Sequence, residues 1–303
     1  MQSVHANHLG LLAAQALRSD EESTIGQVIA SFPNSFYVKT RDDQLLFITN
    51  RSLRSPITVN VAYSGNFTDI VKPLEFVYIL NGRLCNSNIS IEFANNAAEE
   101  EKVCSDNHPY YSKLMEASML LSTILNVIEN VGSVLDQDHP LVHDLIADFV
   151  RHGLLPLRSK RVPSEFAAAA EKIIGLGQGF TPSGDDFLLG FLVTYNSLSS
   201  AIARTPIYLE FKQLAGRTNW ISAKLVDYAQ HLQVDDQLLR VIQSMSNADG
   251  DTVTALEALI PRGHTSGIDI ATGAVLGLSI VCDIALEQRN TEIIAAKLGF
   301  LRQ

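Results

Sequence analysis

The segment Gly175-Leu-Gly-Gln-Gly-Phe-Thr-Pro-Ser-Gly-Asp-Asp-Phe-Leu-Leu-Gly190 constrains this chain more than any other. Glycines at 175, 177 and 179 disfavour helix and strand alike, because each costs extra backbone entropy. Such spacing suits a loop that needs positive φ or the close approach of a ligand. Thr181, Pro182 and Ser183 then supply an N-cap and a proline at the first helical position, predicting a helix that runs on through Phe187 to Thr194. A glycine-rich turn opening onto a helix N-terminus offers N–H groups and the positive end of the helix dipole, which favour an anion. Asp185 and Asp186 would repel that anion unless a divalent cation lay between them, so the pattern points to phosphate with Mg2+ held by Asp185 and Asp186. In this reading Gly177, Gly179 and Gly184 give the phosphate backbone access, and Thr181 and Ser183 donate hydroxyls. The competing reading is structural: Ser183 to Asp186 has the spacing of a capping box. Capping accounts for one acid, but for neither the pair nor the three glycines. A nucleotide phosphate loop is excluded, since Gly-x-x-x-x-Gly-Lys-Ser/Thr is absent and no lysine occurs between Lys172 and Lys212.

Pro261-Arg-Gly-His-Thr-Ser-Gly-Ile-Asp269 repeats the logic, with a glycine turn, the hydroxyls of Thr265 and Ser266, and Asp269 in the first turn of a helix. Arg262 and His264 add the cationic or donor groups that the first turn lacks, and they are candidates for contact with substrate oxygens. Here too Ser266 to Asp269 fits a capping box. Two such turns are expected to line one pocket, with Thr218 and Ser222 as a third wall unless that stretch is only a helix start and core packing. His139 and His143 have i, i+4 spacing, but Pro140 follows the first and no acid lies between them, so surface or capping histidines are expected rather than metal ligands. A Gly-x-Ser-x-Gly nucleophile elbow is absent.

The 303 residues are enough for one large domain or two ordinary ones, and with 46% hydrophobic and 18% charged residues the chain is globular. A formal net charge of −10 argues against a general nucleic-acid or anionic-membrane surface. Three scattered cysteines form no Cys-x-x-Cys pair, and no Lys or Arg precedes Arg18 at the N-terminus, so a cytoplasmic protein is expected. Ile268 to Leu286 is the most membrane-like run, yet Asp269 and Asp283 interrupt it, which favours a buried helix.

Along the chain, residues 1 to about 20 read as a short helix. β-type runs follow at 35–40, 45–49, 57–63, 76–80 and 89–93, with Asn81-Gly82 as a hairpin signal. The polar stretch Asn95 to Lys102 and Asn107-His-Pro-Tyr110 mark a boundary, after which the apolar period becomes helical. Helices are expected at 113–135, 140–151, 165–174, 206–215, 219–232, 235–245, 251–259, 267–286 and 290–300. The expected fold class is α+β: an N-terminal antiparallel sheet or small barrel over residues 1–105, then a mainly helical domain over 106–303 that carries both glycine turns.

The two turns, Gly-x-Gly-x-Gly-x-Thr-Pro-Ser-Gly-Asp-Asp at 175–186 and Gly-His-Thr-Ser-Gly-x-Asp at 263–269, resemble the signatures of a bacterial family that includes AllH, a subunit of oxamate carbamoyltransferase. The resemblance extends to Arg217-Thr218 and Ile221-Ser222, while the N-terminal half matches only in length and general pattern. It implies a role in allantoin breakdown. With AllF-like and AllG-like partner subunits, the enzyme would convert oxalurate and phosphate into oxamate and carbamoyl phosphate. The Ser-Thr-Arg-Thr and His-Pro-x-Gln motifs of ordinary carbamoyltransferases are missing. Two other readings remain open at this point: a non-catalytic regulatory or assembly subunit that binds an anionic metabolite, and another metal-dependent phosphotransfer enzyme.

Overall fold

The computed structural model describes residues 2–18, 23–93, 114–119, 121, 124, 126, 140–159, 164–246, 251–263 and 265–301. They fall into two compact units, Met1–Lys102 and Val103–Gln303. In the first unit the strands are β1 (Gln2–Leu9), β2 (Ser23–Phe32), β3 (Ser35–Thr40), β4 (Leu45–Thr49), β5 (Thr58–Val61), β6 (Phe76–Leu80), β7 (Arg83–Cys85) and β8 (Ile89–Phe93). They close into a barrel in the order β1-β5-β4-β3-β2-β6-β7-β8. Closure pairs every strand on both sides and leaves no edge exposed.

Two expectations for this unit are corrected. The short helix expected from residue 1 is a strand, β1, followed by helix α1 (Leu11–Ala16). Val4, Ala6 and His8 are buried while His5 and Asn7 between them are exposed, a period of two whose signal is weak because histidines and asparagine contrast little with alanine. The sheet is also not purely antiparallel, since β1 pairs parallel with β8 and β4 parallel with β5. The first strand must lie between β5 and β8 to close the barrel, and its direction matches the last strand. The Asn81-Gly82 hairpin forms as its residues dictate, with φ of 50° and 70°, the left-handed pair that a two-residue turn between β6 and β7 requires. A one-turn helix, α2 (Phe67–Ile70), buries Phe67 in the barrel core with Phe36, Val38 and Ile48.

The second unit is helical. Of the helix expected at 113–135, residues 114–119, 121, 124 and 126 are helical, and the rest lies outside the described residues, as do the boundary stretch 95–102 and Asn107 to Tyr110. Then come α3 (Pro140–Phe149), running into a π-helical turn at Val150–Leu154, and α4 (Ser164–Ala170), α5 (Ser183–Leu198), α6 (Phe211–Ala215), α7 (Trp220–Gln230), α8 (Asp236–Ser246), α9 (Thr252–Leu259), α10 (Ser266–Leu286) and α11 (Asn290–Lys297). Residues 206–210, expected to be helical, have no regular secondary structure. Asn196 and Gln230 claim their backbone: the Asn196 amide brackets the N–H and C=O of Ile207, and the Gln230 amide those of Leu209, at 2.8–3.0 Å. Two buried side chains thereby replace the i→i−4 bonds a helix would have used.

At the centre, α5 and α10 are buried along nearly their whole length. Helix α10 is long and apolar enough to cross a membrane, but Gly267 to Asp283 are all buried inside this unit, as in the core helix of a globular protein. Asp283, one of its two acids, caps α11 by accepting from Asn290 N–H and Thr291 N–H at 2.6 and 3.0 Å. The two central helices touch backbone to backbone. A Cβ on Gly190 would lie 2.0 Å from the carbonyl oxygen of Ile270, and one on Gly273 would lie 2.0 Å from that of Phe187. Gly190→Ala or Gly273→Ala should therefore lower the unfolding free energy by at least about 1–3 kcal/mol, the cost of overpacking. Gly216→Ala, at φ −78° with no atom nearer than 3.3 Å, should change it little. Urea unfolding of the three variants decides, and equal effects would show that the close approach does not matter.

Candidate functional site

The glycine run folds as an exposed loop because its φ values demand glycine: +76° at Gly175, +102° at Gly177 and +112° at Gly179. Helix α5 starts at Ser183 with Pro182 as N-cap and no side-chain cap, so the competing capping-box reading of Ser183 to Asp186 is not met. Part of the first turn's donor capacity is used internally, since Gly184 N–H bonds to Leu176 O and the Asp185 and Asp186 N–H groups to Pro182 O. Among the described residues, the N–H groups of Gly177, Gln178, Gly179 and Ser183 make no backbone bond. These are the groups that a ligand or solvent can take.

The two adjacent acids turn out to have different surroundings. Asp185, 1% exposed, accepts the Gly175 N–H at 2.8 Å on Oδ1, and the hydroxyls of Thr218 and Ser222 at 2.5 and 2.7 Å on Oδ2. Burial pushes its pKa up, and these three donors oppose the shift. Thr218 and Ser222 thus serve Asp185, and through it they tie the start of the loop to α7, whose N-cap is Asn219. Both Asp185 oxygens accept hydrogen bonds from the protein itself, one on Oδ1 and two on Oδ2. Asp186 faces the other way. Its Oδ2 accepts the Thr181 hydroxyl at 2.8 Å, and Thr181 Oγ1 lies 3.1 Å from Ser266 Oγ, which links the two glycine turns directly. Burial lifts the Asp186 pKa to about 6 against the Ser266 and Thr181 hydroxyls and the Arg262 charge, with the Asp185 charge adding to the rise.

Asp269, in the first turn of α10, completes the cluster. Its N-cap Thr265 makes no side-chain cap, and Asp269 does not cap either: both carboxylate oxygens are buried without a hydrogen-bond partner among the described residues. Burial lifts its pKa to about 7. The Ser183 hydroxyl opposes this, Asp186 reinforces it, and Thr265 opposes it weakly, although neither hydroxyl makes a bond of normal geometry. Among the described residues no three His, Cys, Asp or Glu side chains are grouped to hold a metal ion.

Arg262 is less available than the sequence suggests. Its guanidinium donates to Asp235, which also caps α8 by accepting from Gln237 N–H and Leu238 N–H at 3.2 and 3.1 Å. His264 and His139 lie outside the described residues, as does the side chain of His143. The structure therefore brings Gly177, Thr181, Ser183, Asp185, Asp186, Thr218, Ser222, Thr265 and Ser266 around two neighbouring helix starts, while Gly179 stays on the exposed loop tip. Sequence reasoning placed Asp269 in the first helical turn of the second glycine motif without assigning it a role, and it passed over Asp235.

The raised pKa values carry a sign for stability. Asp186 and Asp269 stay protonated in the folded protein at pH values where an unfolded carboxyl, near 3.8, has ionised. The stability they contribute is complete below the unfolded value and is lost as pH rises through about 6 and about 7. Asp269→Asn removes the upper loss, so without divalent cations the variant should exceed the parent by a few kcal/mol above pH 8 and converge with it near pH 4, both order-of-magnitude values from linkage. Urea melts across that range test this. A stability difference that does not change with pH would refute the buried-acid assignment.

No solved structure matches the chain. Residues 173–278 match the family model described as oxamate carbamoyltransferase subunit AllH, a match that takes in both glycine turns and the helices between them and supports the AllH-type family for this chain.

Proposed function

We propose that this chain is a subunit of an oxamate carbamoyltransferase and takes part in interconverting oxalurate plus phosphate with oxamate plus carbamoyl phosphate. The observation that carries this reading is the junction of the two turns, where Thr181 and Ser266 meet at 3.1 Å beside the unbonded N–H groups of Gly177, Gln178 and Ser183. Hydroxyls and main-chain N–H groups at helix starts are the donors that phosphate oxygens take. In the reaction a phosphate oxygen adds to the carbamoyl carbon and the bond from that carbon to the oxamate nitrogen breaks. The nitrogen takes up the proton that hydrogen phosphate gives up. The protein's part is to hold phosphate and the carbamoyl group in line and to exclude water, which would hydrolyse the product. Because Thr181 donates its proton to Asp186, the main-chain N–H groups and the Ser266 hydroxyl, on turning from Thr181, would set the phosphate's orientation, and the Arg262 charge lies close enough to influence Asp186.

A second reading is favoured by one specific observation. Arg262 is paired with Asp235, and Asp185 accepts from three donors of the protein, so few charged groups of the described chain remain to act on a substrate. That suits a subunit which binds the anion while AllF-like and AllG-like partners complete the catalytic site.

Phosphate-dependent loss of oxalurate, measured for the chain alone and with those partners, separates the two. Turnover by the chain alone supports the first, turnover only in the complex supports the second, and no turnover in either rejects the reaction. Ser266→Ala should weaken phosphate binding about tenfold, or ~1.4 kcal/mol, and shrink the phosphate-induced rise in melting temperature. An unchanged rise would move the anion elsewhere.

A further inference from the structure

Asp269 presents an energetic problem that the carbamoyl-transfer reading does not solve. A carboxylate 1% exposed, with neither oxygen hydrogen-bonded among the described residues, strongly resists ionisation, and the Asp186 charge makes ionisation harder still. The placement is not a by-product of capping, since the first-turn N–H groups of α10 are satisfied by backbone: Gly267 bonds to Arg262 O, and Ile268 and Asp269 bond to Thr265 O. Nor can the two acids move apart, because the helices that carry them are locked through Gly190 and Gly273, each about one turn further on. Around the pair stand hydroxyls and, close enough for its charge to act on Asp186, the Arg262 guanidinium, which is paired with Asp235. Thr181 is on Asp186 Oδ2, and Ser183 and Thr265 stand next to Asp269 without bonding to it.

We propose that Asp186 and Asp269 together bind a divalent cation of the Mg2+ class between the starts of α5 and α10. Two carboxylates and neighbouring hydroxyls form a hard, all-oxygen donor set, which suits Mg2+ or Mn2+ rather than a thiophilic metal. Because no third carboxylate joins them, the protein would fill only part of the coordination shell and leave positions for water or phosphate oxygens, the usual arrangement for Mg2+. Both helix N-termini add positive potential at this point, so one carboxylate is not enough and both are required. Asp185 takes no part, because its oxygens already hold Gly175, Thr218 and Ser222. The cation would offset the buried charges and, if phosphate binds at the adjacent junction, its charge as well. Only that last use rests on the carbamoyl-transfer reading.

The test is a Mn2+ titration of the full chain followed by electron paramagnetic resonance, with Mg2+ as competitor and no oxalurate or partner subunit present. Wild type should bind a single Mn2+ that Mg2+ displaces. Asp269→Asn and Asp186→Asn should each weaken it at least tenfold, whereas Ser222→Ala, which touches only the Asp185 network, should keep it. Melting curves in chelator guard against misfolding, since Asp269→Asn should melt above wild type there and gain nothing from Mg2+. No Mn2+ bound by wild type at millimolar concentration would overturn the proposal and leave a proton as the species that neutralises the pair. Wild-type affinity in Asp269→Asn, or loss in Ser222→Ala, would overturn it equally. Because the titration contains no oxalurate, its failure leaves the reaction reading intact, and an absence of turnover leaves the cation site intact.

Discussion

The backbone contact between α5 and α10 at Gly190 and Gly273 is the constraint on which the helical unit depends. Two helices that approach this closely must present glycine at the crossing, because any Cβ would overlap a carbonyl oxygen of the partner. Their N-termini then emerge side by side, and whatever the chain writes into the two first turns is forced together. Thr181 meets Ser266, and Asp186 faces Asp269, only because the crossing is this tight. The same contact buries both starts, which turns ordinary first-turn acids into carboxyls with pKa values of about 6 and about 7.

The consecutive acids Asp185 and Asp186 show how one residue of separation on a helix reverses a side chain's role. Roughly 100° of rotation points Asp185 at the loop and α7, where an N–H and two hydroxyls satisfy it. The same rotation points Asp186 at α10, where one hydroxyl bonds it and a like charge faces it. Asp185 rigidifies the loop that carries the unbonded N–H groups. Asp186 and Asp269 concentrate negative charge beside them. The loop is thus held by one acid with three donors and bordered by two others, of which Asp186 has one hydroxyl partner and Asp269 none among the described residues.

The barrel reaches stability by a different route. It leaves no edge strand, and its alternating inward residues, Val4, Ala6, Phe36, Val38 and Ile48 among them, fill a separate core. The family match covers residues 173–278 and so belongs to the helical unit, where both turns lie.

Local chemistry made much of this legible from the residues alone. Glycines at 175, 177 and 179 announced positive φ, Asn81-Gly82 announced a tight hairpin, and apolar periodicity announced most helices of the second unit within a turn of their ends. Three things were not legible, each because it depends on partners distant in sequence. The strand at residues 2–9 is decided by barrel closure onto β5 and β8, and the non-helical run at 206–210 by amides from Asn196 and Gln230. The division of labour among Asp185, Asp186 and Asp269 is decided by what each meets across helix boundaries. The sequence by itself determined where the turns lie and which groups they carry, since φ preference and capping act over a few residues. Only the tertiary structure decided which acid is satisfied and which is not, since hydrogen bonding and desolvation depend on neighbours that folding brings from 30 to 85 residues away.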